Sequence, residues 1–239
     1  MRRMAAIRKY IDIGANLTDD MYQGLYHGSK KHEPDLDKVL NRSWSAGMDK
    51  MIITGGSLVD SKKAIDLSRT DSRLFSTVGC HPTRCNDFIT DPDSYLKDLR
   101  RLITENKDKV VAIGECGLDY ERLHFCEKGI QLHSLRTKEN LEVAAKIPQD
   151  KLMIETDCPW CEVKPTHPGY SHVITKFPSV KKEKYSVDSD NQVKGRNEPI
   201  NIVQVLEILA AIRKENIDEL AQAIYNNTYK VFFSNKCNV

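Results

Sequence analysis

The sequence predicts an α/β protein built on a parallel sheet, because short apolar runs alternate with helical patterns along most of the chain. In Val110 to Tyr120, four apolar residues lead directly into Gly114 and Glu115. Lys151 to Trp160 repeats this pattern and ends in an acidic segment that contains Asp157. Such apolar runs are typical of strands that are buried on both faces. Each carboxylate is therefore expected at the carboxyl edge of the sheet, where α/β proteins place their active sites.

Strands are predicted where an apolar run is bounded by glycine, proline or polar residues. Tyr10 to Leu17 is the first, Lys50 to Gly55 ends at a glycine pair, and Leu74 to Val78 runs into Gly79. Val110 to Tyr120 and Leu152 to Thr156 complete the set of five. Because helical segments separate these strands, parallel βαβ units are predicted.

Helices are predicted where apolar residues recur at intervals of three and four. These helices are Asp35 to Ala46, Asp60 to Arg69, Asp91 to Glu105, Lys138 to Lys146, Ile202 to Arg213 and Ile217 to Phe232. Thr18 to Pro34 and Lys164 to Pro199 are predicted to be loops, and Glu121 to Thr137 shows no clear strand.

Size and composition indicate a soluble globular protein with one large domain or two small ones. The chain has 239 residues, of which 40% are hydrophobic and 29% are charged. A net charge of +2 means that nucleic-acid binding would require a local basic patch. No run approaches the roughly 20 apolar residues of a membrane span, and the basic N-terminus lacks the apolar core of a signal peptide. Seven cysteines, an odd number, predict a reducing and therefore intracellular location.

Glu115 and Asp157 are the strongest candidates for chemistry, since both follow apolar runs. Carboxylates bind hard divalent cations, and a bridged metal pair can activate water and hold a phosphate. The structural alternative is that these carboxylates cap helices or accept backbone hydrogen bonds. His81 follows another strand and could contact phosphate or carry a proton, although a lone histidine is more often a hydrogen-bonding loop residue. Asp119 could position water or cap a helix.

The segment Cys158-Pro159-Trp160-Cys161 has the CxxC spacing of thiol redox proteins. In those proteins a helix follows the motif and lowers the pKa of the first thiol. Here residues 162–165 begin a helix poorly, and a zinc site with Cys80 and Cys85 has no supporting spacing. Packing as small buried residues is the favoured interpretation for these cysteines.

The predicted loop from Lys164 to Pro199 is basic and contains aromatic residues. Seven lysines and arginines against four acidic residues give it a local charge of +3. Tyr170, Phe177 and Tyr185 lie among the lysines. Lysines that neutralise phosphates and rings that stack on bases would form a groove for single-stranded nucleic acid. A solvated flexible loop has the same composition, so both interpretations stay open.

Five motifs together resemble the TatD family of metal-dependent DNases. They are Asp12-Ile13-Gly14-Ala15-Asn16-Leu17-Thr18, Gly79-Cys80-His81-Pro82, Gly114-Glu115-Cys116-Gly117-Leu118-Asp119, Glu155-Thr156-Asp157-Cys158-Pro159 and Arg196-Asn197-Glu198-Pro199. The resemblance implies one (β/α)8 barrel domain of the amidohydrolase type over residues 1–239. It also implies hydrolysis of DNA phosphodiesters, with single strands or ends as substrate, and one or two divalent ions, namely Mg, Mn or Zn. A monomer in the nucleus or cytoplasm is expected.

Position by position, the resemblance suggests roles for individual residues. Glu115 matches the metal-bridging carboxylate, and Asp157 matches the last metal ligand and proton acceptor for the attacking water. His81 is similar to a histidine near the scissile phosphate. The family's first-strand histidine pair falls on Gly14 and Asn16. Asn16 and Arg196, together with His81, are the predicted substrate-binding residues.

The sequence departs from the family between about residues 126 and 137, where the central βα units are predicted to be missing. The family carries two further ligand histidines there, and His124 and His133 do not lie in the corresponding motifs. Five predicted strands are also fewer than the eight of a closed barrel. The expected product is an incomplete barrel with weak activity. The alternative is an inactive form that acts as a nucleic-acid or protein binding module.

Overall fold

The structure is a computed structural model that describes residues 8–117 and 138–234. In chain order its strands are β1 (Tyr10–Ala15), β2 (Leu25–Tyr26), β3 (Ser29–Lys30), β4 (Met48–Ile53), β5 (Leu74–Val78), β6 (Val110–Ile113), β7 (Ser179–Val180) and β8 (Gln192–Val193). The α-helices are α1 (Leu36–Ser45), α2 (Leu58–Ser68), α3 (Pro92–Glu105), α4 (Lys138–Lys146), α5 (Ile202–Arg213) and α6 (Ile217–Phe232). The predicted α/β class is confirmed.

The described residues form two compact units. Residues 16–18 and 51–117 make one of them, the sheet unit, in which the end of β4 pairs in parallel with β5, and β5 pairs in parallel with β6. The helices α2 and α3 cover β5. Their core is Ile65, Val78, Leu99 and Leu102, all buried. Burial explains why β5 and the end of β4 appear in the sequence as apolar runs. The prediction that the strand before Glu115 is buried on both faces is wrong, because β6 is only partly buried and its Ile113 is 72% exposed.

Residues 8–15, 19–50 and 138–234 make the other unit, the helical unit. Here α6 packs on β1, and α5 packs on both α4 and α6. Leu206 of α5 and Leu220 of α6 are fully buried. Asn216 caps the start of α6, since its side-chain oxygen accepts the backbone N–H groups of Asp218 and Glu219. This cap explains why α6 begins where the apolar pattern predicts.

The helix predictions are confirmed to within two residues at each end, and α4, α5 and α6 match in full. The prediction of a strand over Leu152 to Thr156 is wrong, since this extended segment is not part of a ladder. It lies beside β1, and the Ile13 N–H donates to the Ile154 carbonyl at 3.4 Å. The Thr156 N–H instead donates to the carboxylate of Asp12 at 3.1 Å. The Asp12 side chain therefore accepts an N–H that, in a strand, would donate to a carbonyl of the neighbouring strand.

Two other predictions need adjustment. The predicted loop Thr18 to Pro34 contains the short antiparallel pair of β2 and β3, which turns at Gly28 with a φ of +75°. The strand predicted over Val110 to Tyr120 ends at Ile113, so that Glu115 follows it directly. Predictions for residues 118–137, including Asp119, His124 and His133, lie outside the described residues.

The main sheet contains β1, β4, β5 and β6. Four strands within residues 8–117 and 138–234 are half the number in a closed (β/α)8 barrel. The expectation of an incomplete barrel therefore agrees with the described part of the chain. In the same ranges, no helix is long and apolar enough to cross a membrane.

Candidate active site

In the sheet unit, a histidine faces a carboxylate just beyond two strand ends. His81 follows β5, and its Nε2 lies 3.7 Å from Oε2 of Glu115, which follows β6. The Nδ1 of His81 accepts the N–H of Thr83 at 3.1 Å. Because a neutral imidazole carries one proton, this bond assigns the proton to Nε2, on the side of Glu115. The structure thus brings together two of the predicted site residues.

Gly79 is required where these two segments meet. A Cβ at this position would lie 2.5 Å from the carbonyl carbon and oxygen of Gly114 and 2.7 Å from the carbonyl oxygen of Glu115. The Gly114 N–H also donates to the Val78 carbonyl at 3.0 Å. A glycine at the end of β5 therefore lets the backbone that carries Glu115 approach closely.

In the helical unit, Asp157 lies on a tight turn. Its backbone has a φ of +54°, a left-handed conformation that aspartate adopts more readily than most residues. The Asp157 N–H donates to the Gly14 carbonyl at 2.9 Å, and its own carbonyl accepts the Trp160 N–H at 2.9 Å. The Cys161 thiol donates to Oδ2 of Asp157 at 2.8 Å. These bonds hold the predicted proton acceptor in one backbone position.

Asp12 holds the residue that precedes the Asp157 turn, because it bonds to Thr156. It is fully buried on β1, and its carboxylate accepts the N–H groups of Gly14 and Thr156 and the hydroxyl of Thr156. Burial raises the pKa of Asp12 from 3.8 to about 7, although the three hydrogen bonds oppose the rise. Asp12 is therefore a structural acceptor whose charge is costly at neutral pH.

Asn197 holds the other side of the same turn. Its side chain donates to the Thr156 carbonyl at 2.9 Å, and its N–H donates to the Pro159 carbonyl at 2.8 Å. Its own carbonyl accepts the Tyr22 hydroxyl at 3.2 Å. Sequence reasoning assigned Asn197 no role, although it occupies a motif position. The clamp joins segments about forty positions apart, which no local pattern reveals.

Arg196 does not face solvent. Its guanidinium forms an ion pair with Asp35 at 2.6 Å and a second with Glu198 at 3.1 Å, and both partners are also buried. Arg42 joins the cluster through Glu198 at 3.0 Å. These contacts are those of a structural residue, so the prediction that Arg196 binds substrate gains no support from the structure. The local signal that sequence reasoning missed was Glu198, an acidic residue two positions after Arg196 that pairs with it.

Gly14 and Asn16 hold the positions where the family has its histidine pair. A Cβ on Gly14 would collide with Oε2 of Glu155. The Glu155 carboxylate therefore occupies the space that a side chain at position 14 would need. Asn16 follows β1 with its side chain half-buried, and its predicted contact with substrate stays a prediction.

The two cysteines of the CxxC segment have different environments. Cys158 is buried, and burial raises the pKa of its thiol, which disfavours the reactive thiolate. Cys161 is exposed and donates to Asp157. No helix begins in residues 162–165, so the described structure offers none of the thiolate stabilisation that the redox interpretation requires.

The aromatic residues of the predicted binding loop are engaged within the protein. Tyr185 is buried and donates its hydroxyl to Asp35 at 2.8 Å. The Lys176 ammonium lies 5.4 Å from the centre of the Tyr170 ring. Backbone segments of this loop are tied to α5, where Glu207 accepts the N–H groups of residues 174 and 175. Tyr185 is therefore not available to stack on a base, and the hydrogen bonds to Glu207 hold part of the loop against α5.

The donors present fit a hard cation better than zinc. Among the described residues, no three His, Cys, Asp or Glu side chains lie close enough together to hold a metal. Zinc sites in enzymes generally use three protein ligands. Mg²⁺ retains several waters and is often bound by one or two carboxylates together with substrate phosphates. Glu115, whose side chain is 41% exposed, suits that second kind of site.

Parallel strands followed directly by histidine and carboxylate side chains define the class of α/β proteins that carry their chemistry at strand ends. This class includes the (β/α)8 hydrolases. Within it, the chain belongs to the TatD-related DNase family, whose family model matches residues 11–141 and 129–233. The resemblance drawn from the five motifs is thereby confirmed.

Individual relatives agree with this assignment. The deoxyribonuclease Tat-D of Schizosaccharomyces pombe is 32% identical over 94% of this chain and 98% of its own length. A TatD-family hydrolase from Entamoeba histolytica has a similar structure, with 33% identity and a TM-score of 0.84 over 96% of this chain and 99% of that one. An uncharacterised amidohydrolase from Saccharomyces cerevisiae gives a TM-score of 0.82 at 25% identity, over 94% of this chain and 99% of that one.

The alignment with the Schizosaccharomyces pombe protein also shows a difference in length. It runs over 308 positions but includes 94% of a 239-residue chain, about 225 residues. About 80 positions of the alignment therefore have no residue of this chain.

Proposed function

We propose that this protein is a metal-dependent deoxyribonuclease that hydrolyses phosphodiester bonds in single-stranded DNA or at DNA ends. The observation that carries the proposal is the His81–Glu115 pair beyond β5 and β6, in a chain of the TatD-related DNase family. Relatives named 3'-5' ssDNA/RNA exonuclease TatD, such as that of Cronobacter turicensis with 36% identity over 57% of this chain, support single strands as the substrate.

Glu115 and Asp157 are the proposed metal ligands, and Mg²⁺ or Mn²⁺ is the proposed ion. A bound divalent cation would activate the attacking water and offset the charge of the phosphate. Glu115 and Asp157 supply oxygen donors, which hard cations prefer. The ion is expected to be held weakly, because two carboxylates leave most of its coordination to water and phosphate.

The residues of the chain have separate tasks in this proposal. Asp157 accepts the proton of the attacking water, and the hydrogen bonds that its turn makes with the Gly14 carbonyl and the Cys161 thiol keep it in place. His81 donates its Nε2 proton to a phosphate oxygen, since Nδ1 is engaged with Thr83. Oε2 of Glu115 lies 3.7 Å from Nε2 of His81, so the carboxylate that would hold the ion is next to the imidazole.

A cleavage assay on a fluorescent single-stranded oligonucleotide tests the proposal. The unaltered chain is compared with Glu115→Gln and Asp157→Asn, in Mg²⁺, Mn²⁺ or EDTA. The matched control is Asp150→Asn, which changes a carboxylate that is 73% exposed. We expect metal-dependent cleavage in the unaltered chain and the control, and a loss of about a hundredfold or more in the other two variants. Cleavage that persists in EDTA or in both variants would contradict the proposal.

The second candidate is a non-catalytic module that binds nucleic acid or protein. Two observations favour it: the aligned positions that have no residue of this chain, and the incomplete metal site among the described residues. The family model is matched in two segments that meet at residues 129–141, which supports central βα units missing near residues 126–137. Binding of the oligonucleotide without cleavage in any metal, and with no rise in melting temperature on addition of metal, would identify this candidate.

An intracellular location, in the nucleus or cytoplasm, and a monomeric state complete the proposal. None of the five described cysteines forms a disulfide, as expected in a reducing compartment. Fluorescence imaging of the tagged chain tests the location. Size-exclusion chromatography with light scattering tests the monomer.

A further inference from the structure

Trp160 is a large, solvent-exposed aromatic side chain on the turn that carries Asp157, the candidate proton acceptor. Its relative exposure is 48%, whereas tryptophan is on average among the more buried residue types. It lies three positions after Asp157, on the same turn. In the sequence it appears only as the interior of a CxxC spacing, which suggested thiol chemistry rather than an aromatic surface.

The turn presents the indole from a fixed backbone. The Trp160 N–H donates to the Asp157 carbonyl at 2.9 Å, and the carbonyl of Pro159 accepts the Asn197 N–H at 2.8 Å. The next residue, Cys161, returns to the Asp157 carboxylate at 2.8 Å. A ring carried on so well-anchored a turn loses little freedom when it contacts a ligand.

Several other rings of the helical unit are engaged within the protein. Tyr22 and Tyr185 are buried. Tyr26 has the Lys182 ammonium 4.7 Å from its ring centre, and Tyr170 has that of Lys176 at 5.4 Å. Among the described residues of this unit, Trp160 is therefore the exposed ring that lies closest in sequence to Asp157.

We propose that the indole of Trp160 stacks on an unpaired nucleobase of the strand whose phosphate is attacked, and thereby restricts the substrate to single strands and frayed ends. This inference rests on the proposed nuclease function. Each base presents a π-face, so stacking holds a strand without requiring a particular sequence. A base within a duplex already has both faces covered by its neighbours, so only an unpaired base can lie on the ring.

Binding is tested first, without catalysis. The chain has two tryptophans, Trp44 and Trp160, so Trp44→Phe leaves one reporter. In EDTA, titration with a short thymidine oligonucleotide should quench Trp160 emission, and a long blunt duplex at the same nucleotide concentration, in which nearly every base is stacked on both faces, should not. Equal quenching by the duplex, or binding of the single strand with unchanged emission, would overturn the stacking.

Cleavage kinetics are tested next, with Trp160→Ala, Trp160→Phe and the control Tyr229→Ala, which removes a ring that is 41% exposed on α6. Trp160→Ala should raise KM about tenfold, while Trp160→Phe and the control stay within about threefold of the unaltered chain. Melting curves establish that each variant is folded, and if the alanine variant is not, Trp160→Leu, which keeps apolar bulk but removes the π-face, should show the same rise in KM.

A set of oligonucleotides that each lack one base locates the stacked nucleotide. An abasic site at the stacked position should raise the KM of the unaltered chain about tenfold and should not raise the KM of Trp160→Ala any further. If the abasic site raises KM by the same factor in the unaltered chain and in Trp160→Ala, the stacking contact is refuted. If the unaltered chain cleaves no DNA, the proposed nuclease function fails, and the fluorescence titration still decides whether Trp160 stacks on a base.

Discussion

The buried carboxylate of Asp12 should make the stability of this protein depend on pH in a way that one substitution removes. Burial raises the pKa of Asp12 from 3.8 to about 7 in the folded chain. The folded protein therefore binds this proton more tightly than the unfolded chain does. The stabilising contribution is complete below about pH 4, declines as pH rises, and is lost above about pH 7. A difference of about three pKa units corresponds to about 4 kcal/mol in the free energy of unfolding.

Asp12→Asn should remove this dependence, because the amide is close in shape and remains neutral at every pH. Its oxygen can still accept the N–H groups of Gly14 and Thr156. Its amino group would face the Thr156 hydroxyl, which now donates to Asp12 at 2.6 Å and would have to accept instead. That rearrangement costs about 1 kcal/mol at all pH values.

Urea denaturation of both proteins between pH 4.5 and 8 measures the effect. The difference in unfolding free energy, variant minus unaltered chain, should rise by up to about 4 kcal/mol toward pH 8. Using the difference cancels the titration of all other groups. A difference that is constant across this pH range would refute the reasoning, because Asp12 would then have the same pKa in the folded and unfolded chains.

Three further changes have defined outcomes. Asn197→Ala removes a buried clamp on the acidic turn and should lower the unfolding free energy by about 1–3 kcal/mol in urea denaturation, with a matching loss of DNA cleavage. Asp35→Ala leaves the buried Arg196 short of a charge partner, so it should cost about 3–5 kcal/mol by the same measurement. Gly14→Ala should lower the unfolding free energy by less than about 1 kcal/mol, because the new Cβ meets the end of an exposed Glu155 side chain that can move aside. An undiminished melting temperature in Asn197→Ala or Asp35→Ala, or a loss of more than about 2 kcal/mol in Gly14→Ala, would contradict the reasoning.

Much of the secondary structure follows from the sequence, because helices and buried strands depend on short-range patterns. The apolar spacing predicts α6 to the residue, and the structure adds the Asn216 cap that starts it there. The apolar run before Glu115 predicts where a strand ends and a polar rim begins. The motifs that contain these residues also predict the family, which the family model confirms.

The fate of individual polar residues could not be predicted in this way. Arg196 was expected at a substrate, yet the fold buries it against Asp35, 161 positions away in the chain. Leu152 to Thr156 was expected in a ladder, yet the Asp12 carboxylate takes the Thr156 N–H. A guanidinium or a backbone N–H donates to whichever acceptor the folded chain brings near. Its role therefore cannot be predicted from the residues next to it in the sequence.

The sequence by itself therefore determined the α/β class, the positions of the helices, the family, and the strand that ends just before Glu115. Only the tertiary structure decided that His81 directs a proton toward Glu115 and that the Asp157 turn is held by Asn197. It also decided that Trp160, which lies three positions after Asp157 on the same turn, is exposed, whereas Tyr185 of the basic loop is buried. The physical reason is that apolar patterning is periodic along the chain, whereas hydrogen-bond partners and exposure arise between segments far apart in sequence.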